Sequence, residues 1–445
     1  MFKLRNFLAI LACKTIIRLG KLMGTKGTSA PGKIAMKISP GLLKHLSQQV
    51  KKEIIIVCGT NGKTTTNNLI YSLFTDRGFK VCCNNVGANM LSGVACSFIS
   101  LATLGGKLDA DYAAIECDEA YLKHVVEHIK PHKIVITNLF RDQMDRYGEV
   151  EDTAKLLEEG INKVPDALLV LNADDPFVRN LGSNHNAIYY GVSEDTGLTK
   201  DEPHENQFCL KCGADLNYNY YHYNHLGFYS CSKCDFKRPN PNYSATRIDV
   251  TDGLKFVMSY KGIQKKFKVN YKGFYNVYNI LASYAVFEDN GGASEDAEAT
   301  FNAYKPQIGR METFKIRGRE IVLNLAKNPA GFNQAISTVC ADKREKDILI
   351  AVNSAPSDGT DVSWLWDVGF ELMKDAGVKN IYVSGLRRDD LALRLKYAGF
   401  ENVNIIDINA DTLKDVISNS SGVCYMLVNY TVLFGTQTIL KGMEG

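Results

Sequence analysis

The feature that most constrains this sequence is a glycine loop set between a short apolar run and a helical pattern. The loop reads GTNGKTT at residues 59–65, the run before it reads EIIIV at 53–57, and the helical pattern covers 67–77. Such a run is typical of a buried parallel strand. The general phosphate-loop motif spaces its two glycines five residues apart, whereas here they lie three apart, so the match to it is partial. The order of strand, loop and helix still predicts a polyphosphate site.

The residue types of this loop suit a nucleoside triphosphate. Glycine lets backbone N–H groups approach phosphate closely, the ammonium group of Lys63 can neutralise the β and γ phosphates, and the Thr64 hydroxyl can ligate Mg²⁺. A nucleoside triphosphate with Mg²⁺ is therefore the expected ligand. The loop residues that we expect at the nucleotide are Gly59, Thr60, Asn61, Gly62, Lys63, Thr64 and Thr65.

Alternating strand and helix patterns extend this unit into an α/β protein with a parallel sheet covered on both faces. Strand-like runs follow at 80–83, 112–116, 133–137 and 167–172, with helical patterns at 120–129 and 153–162. A second series has strand-like runs at 320–325, 347–352, 380–384, 402–406 and 423–428, with helical patterns at 362–376, 389–398 and 410–418. We expect an N-terminal segment over 1–50, a central ATP-binding domain over 51–312 and a smaller Rossmann-like α/β domain over 313–445.

Two CxxC pairs interrupt the central domain within an expected insertion at 205–242. The pairs are Cys209 with Cys212 and Cys231 with Cys234, separated by 18 residues. This spacing predicts a zinc ribbon, and because four thiolates complete a tetrahedral Zn²⁺ shell the expected role is structural. The other eight of the twelve cysteines are scattered, which favours a reducing compartment over a disulfide framework. The aromatic tract between the pairs could stack on bases, but the insertion is not strongly basic, and a hairpin with packed aromatics is the better interpretation.

The first 50 residues hold nine Lys or Arg and no Asp or Glu, while the whole chain has a net charge of only +3. Leu4, Leu8, Leu11, Leu19 and Leu22 fall on one helical stripe, and Lys3, Lys14 and Lys21 lie beside it. The pattern fits either a helix packed on the protein's own core or a basic amphipathic helix in shallow membrane contact. Residues 24–40 are rich in Gly, Ser and Pro and are expected to form a loop.

Several short motifs, in order along the chain, resemble those of Mur ligases and folylpolyglutamate synthases. They are GTNGKTT at 59–65, an apolar strand ending in Glu116, an N-x3-D stretch from Asn138 with Gln143 where His is common, NADDP at 172–176, GFYNVYN at 273–279 and GRME at 309–312. The resemblance implies that ATP phosphorylates a substrate carboxylate and that an amine attacks the acyl phosphate. It also implies that Lys63 and Glu116 are catalytic, that Thr64 and Glu116 hold Mg²⁺, and that Asn276, Asn279 and Arg310 bind the nucleotide, with the two asparagines near the adenine. The alternative for Glu116 is a plain strand-end carboxylate, since Asp118 and Glu119 are nearby competitors.

Other segments depart from most Mur ligases. About 50 residues precede the phosphate loop, so a UDP-binding domain is not expected there. The D-x-H-N-P segment expected after GRME reads LAKNPAG at 325–331, and DGTDVSWLWD at 358–367 holds both tryptophans of the chain. This last segment could be a capped loop with a core aromatic residue, or it could be a contact surface for a partner.

Together these features resemble the MurT family of Mur ligase-like subunits. That resemblance implies amidation of the D-glutamate α-carboxylate of lipid II to D-isoglutamine, with ammonia from a GatD-like glutaminase subunit. A glutaminase Cys–His pair gains from a carboxylate that orients its His, and we expect Asp358, or else Asp361, to supply it. A cytoplasmic protein is expected, at the inner face of the membrane if the N-terminal helix binds lipid. The alternatives are a folylpolyglutamate-type ligase and a zinc-ribbon NTPase that binds nucleic acid; we expect no nucleic-acid partner.

Overall fold

The computed structural model describes residues 2–22, 29–84, 88–142, 148–197, 207–251, 253–270, 273–304, 309–420 and 422–444. Gln143 of the N-x3-D stretch lies outside these ranges, as does the side chain of Lys21.

Within the described residues, the larger sheet has nine strands in the order β11-β10-β9-β6-β5-β4-β1-β3-β2. Its strands are β1 Glu53–Cys58, β2 Val81–Cys83, β3 Tyr112–Glu116, β4 Lys133–Ile136, β5 Leu168–Asn172, β6 Ala187–Val192, β9 Tyr243–Asp249, β10 Leu254–Tyr260 and β11 Ile263–Val269. Strands β1 to β6 and β9 are parallel to one another, and β10 is antiparallel to both β9 and β11. The parallel strands predicted between 53 and 172 are therefore confirmed to within two residues.

Helices cover both faces of this sheet, as expected for apolar parallel strands. They are α1 Phe2–Leu22, α2 Ala30–Ile38, α3 Leu42–Ser47, α4 Lys63–Thr75, α5 Leu91–Leu101, α6 Leu122–Val125, α7 Val150–Ile161, α8 Pro176–Leu181, α9 Asn276–Asp289 and α10 Ser294–Ala303. One face packs α5 and the N-terminal helices against alternate residues of β1, and the other packs α4 and α9 against the residues between them. The helix predicted at 120–129 is shorter than expected, a 3₁₀ turn at Glu119–Tyr121 followed by α6.

The loop predicted over 24–40 is wrong for its second half, because α2 forms there. Pro31 is tolerated since it lies in the first helical turn. Gly32 is required by packing, because a β-carbon on it would lie 1.9 Å from the carbonyl oxygen of Ser92 in α5. A glycine and a proline that suggest a loop in the sequence here permit a close helix contact.

The last part of the described chain forms a second sheet in the order β12-β13-β17-β14-β15-β16. Its elements are β12 Glu312–Ile316, β13 Arg319–Leu325, α11 Pro329–Ala341, β14 Lys346–Ala351, β15 Val378–Ser384, α12 Arg388–Tyr397, β16 Val403–Ile405, α13 Ala410–Asn419, β17 Val423–Val428 and α14 Tyr430–Met443. All pairs are parallel except β12 with β13. The helix predicted at 362–376 is wrong: two short 3₁₀ turns at Ser363–Asp367 and Phe370–Met373 take its place, separated by Val368 and Gly369.

A separate antiparallel hairpin, β7 Leu216–Tyr223 and β8 Leu226–Cys231, lies between β6 and β9. It belongs to the region expected as an insertion, of which residues 207–242 are described.

Candidate active site

The phosphate loop begins where β1 ends, at the carboxyl edge of the larger sheet. Gly59 and Gly62 have φ values of +119° and +84°, in the region that favours glycine. A β-carbon on Gly59 would lie 2.2 Å from Thr137 Oγ1, and one on Gly62 would lie 2.3 Å from Asn279 Oδ1. Both positions of the predicted motif therefore require glycine for backbone conformation and for space.

Asn138, just after β4, fixes the first half of the loop. Its carbonyl oxygen accepts from Thr60 N at 2.8 Å, and its Oδ1 accepts from Asn61 N at 2.9 Å. The backbone N–H groups of the next residues, which open α4, have no carbonyl within their own helix by the geometry of helix ends. The N-terminus of α4 can therefore bind an anionic phosphate, and Thr64 lies in this first turn.

Lys63 is the cation of the phosphate loop, and it forms a buried ion pair. Its Nζ lies 2.9 Å from Glu119 Oε1, and both side chains are almost fully buried. Burial alone would lower the pKa of Lys63, but the charges of Glu119, Asp118 and Glu116 outweigh it and raise the pKa above the usual lysine value. Burial raises the pKa of Glu119, which Lys63 counteracts. Lys63 is therefore a permanent cation whose carboxylate partner is Glu119.

Glu116 ends β3 in a buried position beside the loop. Its Oε1 accepts from Asn89 Nδ2 at 3.2 Å, and among the described residues its buried Oε2 has no hydrogen-bond partner. A buried carboxylate oxygen without a donor is costly unless a cation reaches it. The donor set of Glu116 and the Thr64 hydroxyl consists of hard oxygens, which fits Mg²⁺.

The two asparagines expected at the adenine form a buried network at the start of α9. Asn279 Nδ2 donates to Asn276 Oδ1 at 2.9 Å, and Asn279 Oδ1 accepts from Thr66 Oγ1 at 3.2 Å. Asn279 also lies directly over Gly62. The nitrogen and the oxygen of the Asn279 side-chain amide each make one contact within the protein, and these contacts position the phosphate loop against α9.

A cleft of about 700 Å³, including its open mouth, separates the central domain from the last domain. One wall holds the loop residues, and the other holds β13 and α11. Its lining includes Asn61, Gly62, Thr65, Asn138, Tyr223, Tyr275, Asn279, Arg310, Lys327 and Gln334. The structure therefore brings Arg310 of GRME into the same cleft as the phosphate loop.

Two polar contacts close the last domain onto this cleft. The side-chain amides of Asn61 and Asn328 face one another, with N–O distances of 3.4 and 3.3 Å. Lys327 Nζ lies 2.5 Å from Asp142 Oδ2. Lys327 and Asn328 belong to the segment that departs from the D-x-H-N-P pattern, so this segment contacts the phosphate loop and the N-x3-D stretch.

The four cysteines of the CxxC pairs converge in the insertion, with all Sγ atoms within 4.8 Å of one another. Cys209 and Cys234 are 3.5 Å apart, as are Cys212 and Cys231. Ligands about 2.3 Å from a tetrahedral Zn²⁺ would be separated by roughly 3.8 Å. The donor set and its spacing fit a closed, structural metal site.

Asp174 of the NADDP stretch anchors this insertion to the central sheet. Its buried carboxylate lies 2.6 Å from Arg238 Nε and accepts from Tyr278 OH at 2.8 Å. Nearby, Tyr229 OH donates to the carbonyl of Ala173 at 3.2 Å, and Gly227 N donates to that of Asp174 at 2.9 Å. The motif therefore holds both the insertion and α9.

Asp358 lies at the carboxyl edge of the second sheet and is 6% exposed. Its carboxylate accepts from Thr431 N at 2.9 Å and from Thr431 Oγ1 at 2.6 Å, at the start of α14. Asp361 caps the following turn through Ser363, with two contacts of 2.9 Å. Both carboxylates have capping roles in this chain, and neither lies in the nucleotide cleft.

The two tryptophans of the 358–367 segment differ in burial. Trp364 packs against Phe332, with 5.4 Å between ring centroids. Trp366 is 52% exposed and meets Tyr397 edge to face at 5.5 Å. The first therefore fits the core interpretation, and the second is available on the surface.

Three site residues were not given a role from the sequence: Asn138, Lys327 and Asn328. Glu119 was considered only as a competitor of Glu116, and Asn138 lies in a recognised stretch. Lys327 and Asn328 were noted only for departing from a pattern. Their contacts with Asp142 and Asn61 depend on the approach of two domains, which no local pattern reports.

Comparison with known proteins identifies the family. A model of the Mur ligase middle domain matches residues 57–287, and one of the MurT ligase C-terminal region matches residues 325–433. The lipid II isoglutaminyl synthase (glutamine-hydrolyzing) subunit MurT of Staphylococcus aureus is 36% identical, with 97% of this chain and 96% of that protein covered. The protein of the same name from Streptococcus pneumoniae is 31% identical, with 99% and 98% covered.

The chain belongs to the MurT family of Mur ligases. The MurT C-terminal match begins at Leu325, where the sequence departs from the D-x-H-N-P pattern, and it includes Lys327, Asn328 and Asp358. Family membership favours the amidation of lipid II, expected from the sequence, over a folylpolyglutamate-type ligase.

Comparison with solved structures shows that this chain has the fold of Mur ligases. A pseudomurein peptide ligase type C from Methanothermus fervidus matches with a TM-score of 0.70 at 24% identity, covering 89% of this chain and 80% of that one. MurF ligase from Thermotoga maritima, solved in complex with ADP, matches with a TM-score of 0.66 at 13% identity, covering 93% and 84%.

Proposed function

We propose that this protein is the ATP-using subunit of a lipid II isoglutaminyl synthase. It converts the D-glutamate α-carboxylate of the lipid II stem peptide to the amide of D-isoglutamine. The observation that carries the proposal is near full-length similarity to two proteins named as MurT subunits of that enzyme. The nucleotide cleft, with its phosphate loop and buried Lys63, supports it because the reaction consumes ATP.

The reaction has two steps. A carboxylate oxygen of the substrate attacks the γ-phosphorus of ATP, and ADP leaves, which gives an acyl phosphate. Ammonia then attacks the acyl carbon, loses a proton, and inorganic phosphate leaves to give the amide. The protein's task is to position the reactants and to neutralise charge.

The residues of the cleft divide this task. The first N–H groups of α4 bind phosphate oxygens, and Lys63 moves from Glu119 toward the transferring phosphoryl group. Thr64 and Glu116 would hold Mg²⁺, which neutralises charge on the phosphates when bound. Asn61, Asn279 and Arg310 line the nucleotide side of the cleft, and Asn276 holds Asn279 in place. Lys327 and Asn328 close the cleft.

The four-cysteine cluster holds a structural Zn²⁺ in this proposal. The cluster fixes the base of the hairpin, and Tyr223 at the other end of β7 lines the nucleotide cleft. Zinc therefore stabilises one wall of the site without taking part in the reaction.

Ammonia comes from a GatD-like glutaminase subunit that docks on the last domain. Exposed apolar side chains lie near Asp358: Tyr430, which packs edge to face on Phe434, and Leu386. Thr431 links these residues, because it contacts both Asp358 and Asn353, and Asn353 Oδ1 accepts from Leu386 N. Each carboxylate oxygen of Asp358 can accept more than one hydrogen bond, so it can also orient a glutaminase histidine across the interface. Asp361 is the alternative.

The deciding experiment measures amidation directly. The purified chain, with and without a co-expressed glutaminase subunit, is supplied with ATP, lipid II and either glutamine or an ammonium salt. Mass spectrometry of the stem peptide reports the change from carboxyl to amide. Glutamine-driven amide only with the partner, and ammonium-driven amide from the chain alone, support the proposal. If neither nitrogen source gives amide, the proposal fails.

A further inference from the structure

Helix α1 packs on the protein through one narrow face. Asn6, Ala9, Ile10 and Cys13 are buried against α2 and α5, and Asn6 Oδ1 accepts from Ser39 Oγ at 2.6 Å. Lys14 Nζ donates to the carbonyl of Ser100 at 2.8 Å, which places the end of α5 beside the helix. The core interpretation made from the sequence is therefore correct for this face.

The opposite face carries the leucine stripe and is exposed. We call it the leucine face: Leu4, Leu8, Leu11, Leu19 and Leu22. These side chains are between 41% and 84% exposed. At 100° per residue they lie opposite the buried residues, and at 1.5 Å per residue they extend over about 27 Å. Single exposed leucines are ordinary, but five in one line, interrupted by the exposed Thr15 between Leu11 and Leu19, form an apolar strip that marks an interaction surface.

Cations border the leucine face on both sides. Lys3 and Arg18 lie on one side and Arg5 on the other, and all three are exposed. Helix α2, packed beside α1, adds the exposed Lys33 and Lys37. No acidic residue occurs among the first 50 positions. A strip of apolar side chains with positive charges along both borders complements an anionic lipid surface, where acyl chains meet phosphate groups.

We propose that the leucine face binds in the plane of an anionic phospholipid bilayer, with α1 lying parallel to the surface. Within the described residues, no helix is long and apolar enough to cross a membrane, so contact is interfacial. A protein partner is the weaker alternative, because lysine is depleted at protein interfaces and no acidic residue of the segment offers a counter-charge. The inference deepens the proposed function, since a lipid-linked substrate is reached only at a membrane surface.

Vesicle binding tests the surface without any substrate. Full-length protein is sedimented with vesicles of phosphatidylglycerol and phosphatidylcholine, and with vesicles of phosphatidylcholine alone. We expect binding to the anionic vesicles that weakens several-fold at high salt. Leu8→Ser/Leu11→Ser should weaken that binding at least about tenfold. The control is Ile263→Ser/Ile405→Ser, which removes two side chains of similar exposure far from α1 and should leave binding unchanged.

A second arm separates this inference from the proposed function. Amidation is measured on lipid II in anionic vesicles and on a water-soluble stem-peptide analogue. Leu8→Ser/Leu11→Ser should reduce the first activity and leave the second intact. If the unmodified protein amidates neither substrate, only the proposed function is contradicted, because vesicle binding is measured without amidation.

Three results would overturn the inference. One is absence of binding to anionic vesicles, and another is binding that the leucine substitutions do not change. The third is loss of the co-purified glutaminase subunit on Leu8→Ser/Leu11→Ser, which would assign the leucine face to a protein. Circular dichroism of each variant checks that α1 is retained.

Discussion

Lys63 and Glu119 form a buried ion pair, with 2.9 Å between Nζ and Oε1, at the start of the helix that follows the phosphate loop. Without nucleotide this pair keeps the loop lysine charged and compensated. In the proposed function, phosphate oxygens compete with Glu119 for Lys63, which is the single cation of residues 59–65.

Lys63→Met should abolish most activity and also destabilise the fold. ATP turnover should fall by about 10²- to 10³-fold, as when one transition-state donor is removed. Glu119 would be left as an unpaired buried carboxylate, which costs about 3–5 kcal/mol in the free energy of unfolding. The double variant Lys63→Met/Glu119→Gln should recover most of that stability but no activity. Equal stability of the single and double variants, measured by urea unfolding, would show that the pair is not coupled.

The stability of Lys63→Met should depend on pH. Burial raises the pKa of Glu119 above its usual value, with Asp118 adding to the effect, and loss of Lys63 removes the opposing charge. The folded state then binds more protons than the unfolded state just above pH 4.5, so stability is greater at low pH and is lost as pH rises through the folded pKa. Urea unfolding at pH 5 and pH 8 should give a smaller deficit at pH 5. A loss of stability that is the same at both pH values would show that ionisation of Glu119 is not its cause.

Lys327→Gln should loosen the closure of the cleft. Its partner Asp142 is only 11% exposed in the side chain, and the contact joins the two domains. We expect the KM for ATP to rise about three- to tenfold, since a partly exposed ion pair contributes on the order of 1 kcal/mol. The charge-reversed pair Lys327→Glu/Asp142→Lys should bring the KM for ATP part of the way back to that of the unmodified protein. Arg141→Gln is the matched control, because Arg141 meets Asp367 at a longer 3.6 Å and should change the KM little.

The phosphate loop shows how far sequence alone can reach. Gly59 and Gly62 were predicted because the loop motif itself requires glycine at positions with this local backbone conformation. Glu116 was expected at the metal, and its unpartnered oxygen agrees with that role, but the sequence could not show that Glu119 is the residue that meets Lys63. Which of several neighbouring carboxylates turns toward a lysine depends on the 3₁₀ turn that follows β3.

Contacts between distant elements were the harder part. Gly32 and Pro31 suggested a loop because both residues favour turns, yet close packing on Ser92 selects a helix. Asn328 lies 267 positions after Asn61, and only the folded arrangement of two domains makes them neighbours. The leucine stripe was recognised, but the sequence left open which face of α1 is covered.

Zinc content provides a direct test of the cysteine cluster. We expect about one zinc per chain by metal analysis, with loss of the metal in Cys212→Ser/Cys234→Ser. Cys83→Ser/Cys340→Ser should retain it, since those thiols lie outside the cluster. The metal-free variant should unfold at a lower temperature, because the hairpin loses its cross-link. A preparation with no zinc and unchanged Tm would contradict the structural role.

Asp358→Asn tests the proposed contribution of this chain to the glutaminase. Glutamine hydrolysis by the complex should fall by at least about 10²-fold if Asp358 orients the partner's histidine, since a carboxylate in that position sets tautomer and orientation. Asp358 also caps α14 through Thr431, so loss of the cap alone could mimic the effect. Thr431→Val separates the two roles, because it removes the hydroxyl donor and keeps the carboxylate. We expect Thr431→Val to lose about 1 kcal/mol of stability with hydrolysis retained, and Asp361→Asn to change hydrolysis little. If Asp358→Asn hydrolyses glutamine normally and Asp361→Asn does not, the role passes to Asp361; if both are normal, the partner supplies its own carboxylate.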